Sequence, residues 1–355
     1  MNSYLDEVWA GSTYIAKALE SYTERPICVF PLPVRLPEIA GPIDRAASGL
    51  PDGYLFMFSF DFNSTVERKN PEGVIEAFRR AFPSPSGPQL VVKTINGHRH
   101  LRGLERPRAH TADRDDIVIY DGFLPTTQRD AWACAADCYV SLHRSEGFGL
   151  TMAEAMAMGK PVIATAFSAN LDFMNDDVAF LVPADAWRLE AQAGPYPAGS
   201  LWADPDLDVA AQFMRNAAED PQTASKVGES ARDYIATTRT PERLVEFVAH
   251  RLSEIREHGP TPRPRPNSRL TQKLNDALSY DRQRQDAMHG PVKSVIRKAM
   301  RPYTAAADEL DRRLLSAMVE LGGRLDELAQ DVRVAQQELD LLNEGARDDA
   351  EDVPH

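Results

Sequence analysis

The sequence predicts an α/β fold, a parallel sheet with helices on both faces, followed by a helical coiled-coil tail. Short apolar runs alternate with amphipathic stretches from Tyr54 onward, as βαβ units on a parallel sheet do. Between Ser141 and Thr165 the chain reads as a strand, a glycine turn, a short helix and a second buried strand. Beyond Leu314, apolar residues recur alternately four and three apart, the spacing of a heptad seam.

Taken in order, Asp6 to Glu20 predicts a helix with a Ser/Thr cap, and Pro26 to Val34 an extended apolar run. Tyr54–Phe60 predicts a buried strand. Pro71 opens a helix through Phe82, with Val74, Ile75, Ala77 and Phe78 on its inner side. Gln89–Ile95 and Ile117–Tyr120 predict the next strands, and residues 125–136 a helix leading into Cys138–Leu142. Leu150–Met158 has helical apolar spacing, Gly159 suits the position after a helix end, and Pro161 starts another strand. Val178–Val182 predicts a strand, with helices near 205–219, 221–237 and 241–257.

The character changes at about residue 259. His258 to Asn267 is a stiff, proline-rich linker, and residues 263–301 carry ten Lys/Arg against three Asp. Val292–Arg301 fits a short basic amphipathic helix suited to an anionic membrane surface, or equally a solvated linker helix. Within 302–345, Leu314, Met318, Leu321, Leu325, Leu328, Val332, Ala335, Leu339 and Leu342 predict a coiled coil. It would make a homo-oligomer, engage a partner chain, or fold back on residues 270–278. Residues 346–355 predict a disordered tail.

Composition excludes several classes. A net charge of −13 over 355 residues argues against nucleic acid as partner, and no apolar run reaches membrane-spanning length. Met1 to Glu7 lacks the basic and apolar regions of a secretory signal. Cys28, Cys134 and Cys138 make no disulfide framework and no metal cluster, so free thiols in a reducing, cytoplasmic compartment are expected.

Chemistry concentrates at Glu146-Gly147-Phe148-Gly149-Leu150-Thr151. Gly147 and Gly149 flank a turn where backbone can approach a ligand, and the free N–H groups and positive dipole of the following helix suit a diphosphate. Glu146 and Glu154 would repel that diphosphate. As acceptors they suit hydroxyls, one on a sugar and one on a ribose.

The full string EGFGLTMAEAMAMGKPVIAT resembles the signature of retaining glycosyltransferases of the GT-B fold, closest to glycosyltransferase family 4. The resemblance implies a Rossmann-like nucleotide-sugar-binding domain over 41–258, with residues 1–40 as the last helix and strand of an N-terminal half plus linker. It implies that Glu146 contacts the donor hexose, Glu154 the ribose, and Gly149, Leu150 and Thr151 the diphosphate. Lys69 matches a family lysine that neutralises the leaving phosphates, while the family arginine falls on Ser64, with Arg68 nearby as a substitute. Lys93, His143 and Arg144 are further candidates, and Phe167 to Met174 resembles the loop that closes over the donor sugar, with Asn170 and Asp172 as hydroxyl ligands or turn builders.

Asp204-Pro-Asp206 and Asp206-Leu-Asp208 are D-x-D strings, better read as a helix cap than a metal site, so no metal cofactor is expected. The expected function is transfer of a hexose from a nucleoside diphosphate sugar to a glycan or cell-surface polysaccharide at the inner face of the membrane. Two alternatives are a non-catalytic donor-fold half that oligomerises or pairs with a separate N-terminal half, and a nucleotide-sugar epimerase.

Overall fold

The computed structural model describes residues 7–36 and 43–258; the predicted linker, basic helix, coiled coil and tail lie outside the described residues. The chain opens with strand β1 (Val8–Ala10), helix α1 (Thr13–Leu19) and strand β2 (Ile27–Val29). β1 and β2 pair in parallel, Val8 with Ile27, so this is a βαβ unit. The helix with a Ser/Thr cap expected within Asp6–Glu20 is α1, and residues ahead of its cap form β1. Gly11 breaks the chain after β1, and Ser12 starts the helix by accepting from the Ile15 N–H.

β3 (Leu55–Asp61) enters the main sheet and is followed by the one-turn helix α2 (Val66–Lys69) and by α3 (Pro71–Ala81). Then come β4 (Gln89–Ile95), α4 (Leu101–Thr111), β5 (Ile117–Asp121) and α5 (Thr126–Ala135). The central unit is β6 (Cys138–Ser141), α6 (Leu150–Ala157) and β7 (Val162–Thr165), with Gly159 left-handed at φ +72. β8 (Phe180–Val182) precedes an antiparallel hairpin of β9 (Ala184–Arg188) and β10 (Leu201–Pro205). Helices α7 (Leu207–Glu219), α8 (Pro221–Thr238) and α9 (Pro241–His258) complete the described chain.

The six-stranded sheet runs β5-β4-β3-β6-β7-β8, all parallel. Both its faces are covered, which explains why residues 55–58 of β3 are apolar without alternation. Phe56 and Phe58 pack with Phe78, Val140 and Met214 on the face of α3 and α7. Leu55 and Met57 pack with Trp132, Met156 and Ala231 on the face of α5, α6 and α8. Chain order reverses between β3 and β6, so the loops after these two strands flank the topological switch point, where open α/β sheets bind ligands. α9 returns to the N-terminal unit, setting Phe247 edge-on to Trp9 at 5.2 Å.

Candidate functional site

The site begins where α6 begins. Gly149 is left-handed at φ +93, and a Cβ there would collide with Met152 Cε. No side chain caps the helix. Met152 and Ala153 donate to the Gly149 carbonyl at 3.0 and 3.1 Å. Leu150 and Thr151 therefore present the N–H groups that have no partner at a helix start. The Thr151 hydroxyl meets the Tyr139 phenol, whose oxygen lies 3.0 Å from Ser59 Oγ. On the other side of the turn, Ser12 Oγ donates to the Gly147 carbonyl at 2.7 Å and Tyr14 lies 3.2 Å from Ser145. Phe148 turns inward, 5.0 Å from Phe173 and beneath Arg239, so its side chain anchors the turn.

Charge converges on the same turn from α2. Glu146 is buried and ion-paired with Lys69 and, at 3.1 Å, with Arg68. Burial is the largest single influence and raises its pKa. The Lys69 and Arg68 charges together outweigh it and hold the carboxyl below its ordinary value. Arg68 also donates to the Ser145 carbonyl at 2.7 Å, and its buried Nε has no acceptor among the described residues. Two cations against one carboxylate, beside the positive end of a helix, leave the turn electropositive.

Asn70 makes this possible and escaped the sequence reading as a site residue. Left-handed at φ +56, it joins α2 to α3, donates to the Leu142 carbonyl at 2.8 Å, and accepts from the Gly73 N–H. That pins the Arg68–Lys69 turn to the end of β6. The Asn-Pro pair before a helix is its sequence signal.

Glu154, one turn into α6, is half-buried, and no described residue donates a hydrogen bond to its carboxylate. Burial pushes its pKa up, against a partial offset from Arg129. Arg129 and Arg35 both pair with Asp130 beside it.

Four other sequence candidates are engaged elsewhere. His143 is fully buried, its Nε2 within 3.2 Å of the Phe167 carbonyl and 3.1 Å of Asn170 Oδ1, and its Nδ1 3.2 Å from Ser141 Oγ. Burial lowers its pKa, so the ring is neutral and structural. Asn170 supplies that acceptor and donates to the Thr165 carbonyl at 3.0 Å. Lys93 donates to the Thr94 and Gly122 carbonyls. Arg144 points away from the glycine turn. It lies on the far side of α2, donating to the Glu67 carbonyl at 2.9 Å and stacked 4.8 Å over Trp187. Two polar residues act as caps. Asp172 accepts from the Thr13 N–H at 2.7 Å, and Asp206 from the Asp208 and Val209 N–H groups at the start of α7.

The fold and site together define a doubly wound α/β domain with an electropositive, glycine-opened helix start at its switch point. Comparison with known proteins narrows this: residues 61–193 match the family model described as Glycosyl transferases group 1. A phosphatidyl-myo-inositol mannosyltransferase of Propionibacterium freudenreichii is 38% identical over 68 residues, 19% of this chain and 18% of that relative. A glycosyltransferase structure from Rickettsia africae superposes at TM-score 0.56 with 18% identity, covering 70% of this chain and 63% of its own. The HepE protein of Anabaena, solved with UDP and glucose, gives TM-score 0.55 and 16% identity, covering 71% of this chain and 64% of its own. The chain thus spans less than two thirds of each. At these identities the structures establish the fold alone, the parallel sheet with helices on both faces that these structures share. Among the described residues, no helix is long and apolar enough to cross a membrane.

Proposed function

We propose that the chain transfers a hexose, with retention, from a nucleoside diphosphate sugar to a hydroxyl of a glycan or cell-surface polysaccharide. One observation carries the reading: the uncapped start of α6, Arg68, Lys69 and Glu146 all meet at the switch point of the sheet. The Leu150 and Thr151 N–H groups receive the diphosphate. Lys69 and Arg68, whose Nε lacks an acceptor, turn to its oxygens and offset the charge that builds as it leaves. Glu146, released from them, accepts hydroxyls of the hexose, and Glu154 accepts those of the ribose.

In the transfer, the bond from the sugar's anomeric carbon to the phosphate oxygen breaks and its electron pair leaves with the phosphate. The acceptor hydroxyl attacks on the same face, and its proton passes to the departing phosphate oxygen. The family match over 61–193 supports glycosyl transfer, and the mannosyltransferase name and the UDP and glucose of the Anabaena protein support a hexose carried on a nucleotide.

The test is a panel of UDP- and GDP-sugars scored by thermal stabilisation of the purified chain, followed by transfer of labelled sugar to glycan acceptors. One nucleotide sugar should stabilise the wild type and lose that effect in Lys69→Ala and Glu154→Ala. Stabilisation by none, or equal stabilisation of both variants, would rule the reading out. Release of an epimerised free nucleotide sugar would indicate an epimerase instead.

A further inference from the structure

On the far side of α2 from the donor site, two clefts run into one another. One, of about 490 Å³, is lined by Arg80, His110, Arg144 and Trp187. The other, of about 630 Å³, is lined by Asn63, Thr65, His98, Arg99, His100 and Arg102. Val66, Glu67, Glu72 and Arg106 line both, so the two form one groove between α3, α4 and the β9–β10 hairpin. α2 is its wall. Val66 and Glu67 face the groove, while the next two residues, Arg68 and Lys69, hold Glu146.

The charges of this groove are unevenly matched. Glu72 pairs with Arg106 at 2.9 Å, Glu76 with Arg80 at 2.9 Å, and Asp204 with Arg144 at 3.5 Å. Arg99 and Arg102 are exposed, and neither side chain makes an ion pair or hydrogen bond with a described residue. Five lining arginines face four carboxylates, with three histidines besides, in a chain of net charge −13. Unpaired guanidinium forks in a concave site select anions with planar or tetrahedral oxygens. At the other end, the half-buried Trp187 indole has one face under the Arg144 guanidinium at 4.8 Å and lies edge-on to Trp202 at 5.9 Å. Asn63, Thr65 and Glu67 between them provide partners for hydroxyls.

Free cations and hydroxyl partners along one groove, with a half-buried indole at its end, fit a chain of sugars bearing acidic groups. A bilayer fits less well. The groove is concave, and Leu101 is the exposed large apolar side chain of its lining, whereas interfacial helices insert several. We propose that this groove binds an anionic oligosaccharide, a stretch of acceptor held beside the donor site. Its role as acceptor rests on the glycosyl-transfer reading; the binding itself does not.

The test is titration of the full chain with a hexuronic-acid hexasaccharide, a neutral glucan of the same length, and phosphatidylglycerol vesicles, with Arg99→Ser/Arg102→Ser as the variant. Both arginines are exposed and unpaired, so the fold should persist. The acidic hexasaccharide should bind wild type more tightly than the neutral glucan, weaken with added salt, and bind the variant about tenfold less tightly. Thermal stabilisation by the nucleotide sugar, measured alongside, should be equal in variant and wild type. Absence of stabilisation in both would count against the donor site while leaving the oligosaccharide result standing. Equal binding to variant and wild type, equal binding of the neutral glucan, binding to vesicles alone, or no binding would each overturn the groove's assignment.

Discussion

Replacing Glu146 by Gln separates the fold's use of this residue from its use in ligand binding. The side chains of Glu146, Arg68 and Lys69 are only 10%, 12% and 16% exposed, so their charges are weakly screened. Removing one partner of a buried pair costs about 3–5 kcal/mol when the remaining charge is stranded. Here the glutamine oxygen still accepts one hydrogen bond and the cations keep some water, so roughly 2–3 kcal/mol is expected. For a domain of this size that lowers Tm by about 5–10 °C.

The same substitution removes the anion that competes with a diphosphate for Arg68 and Lys69. UDP or GDP without its sugar should therefore raise the variant's Tm by more degrees than the wild type's, while transfer of labelled hexose falls. Differential scanning fluorimetry with and without nucleotide reads both effects. The deficit also has a pH window. Because the folded state holds the Glu146 carboxyl below its ordinary value of 4.5, its contribution is full above that value and fades as pH falls through the folded one. A variant destabilised as expected, yet stabilised by nucleotide no more than wild type, would refute the idea that phosphate and Glu146 share the same cations.

Other expectations follow from single residues. Burial raises the Glu154 pKa, so the folded state disfavours its ionised form and stability is lost as pH rises from about 4.5 through the folded value. Glu154→Gln should accordingly raise Tm at pH 7, lose that advantage near pH 4, and weaken nucleotide binding, all by fluorimetry. The buried, neutral His143 has a lowered pKa, so stability should fall as pH drops below 6.5. His143→Gln should flatten the Tm profile between pH 7.5 and 5.5. Ser12→Ala removes both the α1 cap and the bond to Gly147, and should cost about 1–2 kcal/mol in chemical denaturation while weakening nucleotide affinity.

The sheet was legible because its strands are buried on both faces and carry apolar runs without strict alternation; Gln89–Ile95 has the same ends in sequence and structure. α6 was legible for a similar reason, with Gly149 and Gly159 marking its two ends. α4 was not, because Pro107 sits inside it and its surface is dense with Arg and His, hiding a face on which Leu104 and Pro107 are buried. The β9–β10 hairpin is short, and its pairing is invisible to local periodicity. At the site, types and loops could be read, but directions could not. Arg68 and Arg144 are both basic residues beside the motif, yet the first points to Glu146 and the second to Trp187. Nor did the chain announce that Glu146 would already hold two cations, since that depends on Asn70 bending the backbone toward Leu142.

A crystal structure of the chain with UDP or GDP bound is the most direct measurement. The account predicts phosphate oxygens within hydrogen-bond reach of the Leu150 and Thr151 N–H groups, with Lys69 turned from Glu146 toward them. A nucleotide seated away from α6, with the Lys69–Glu146 pair intact, would contradict it.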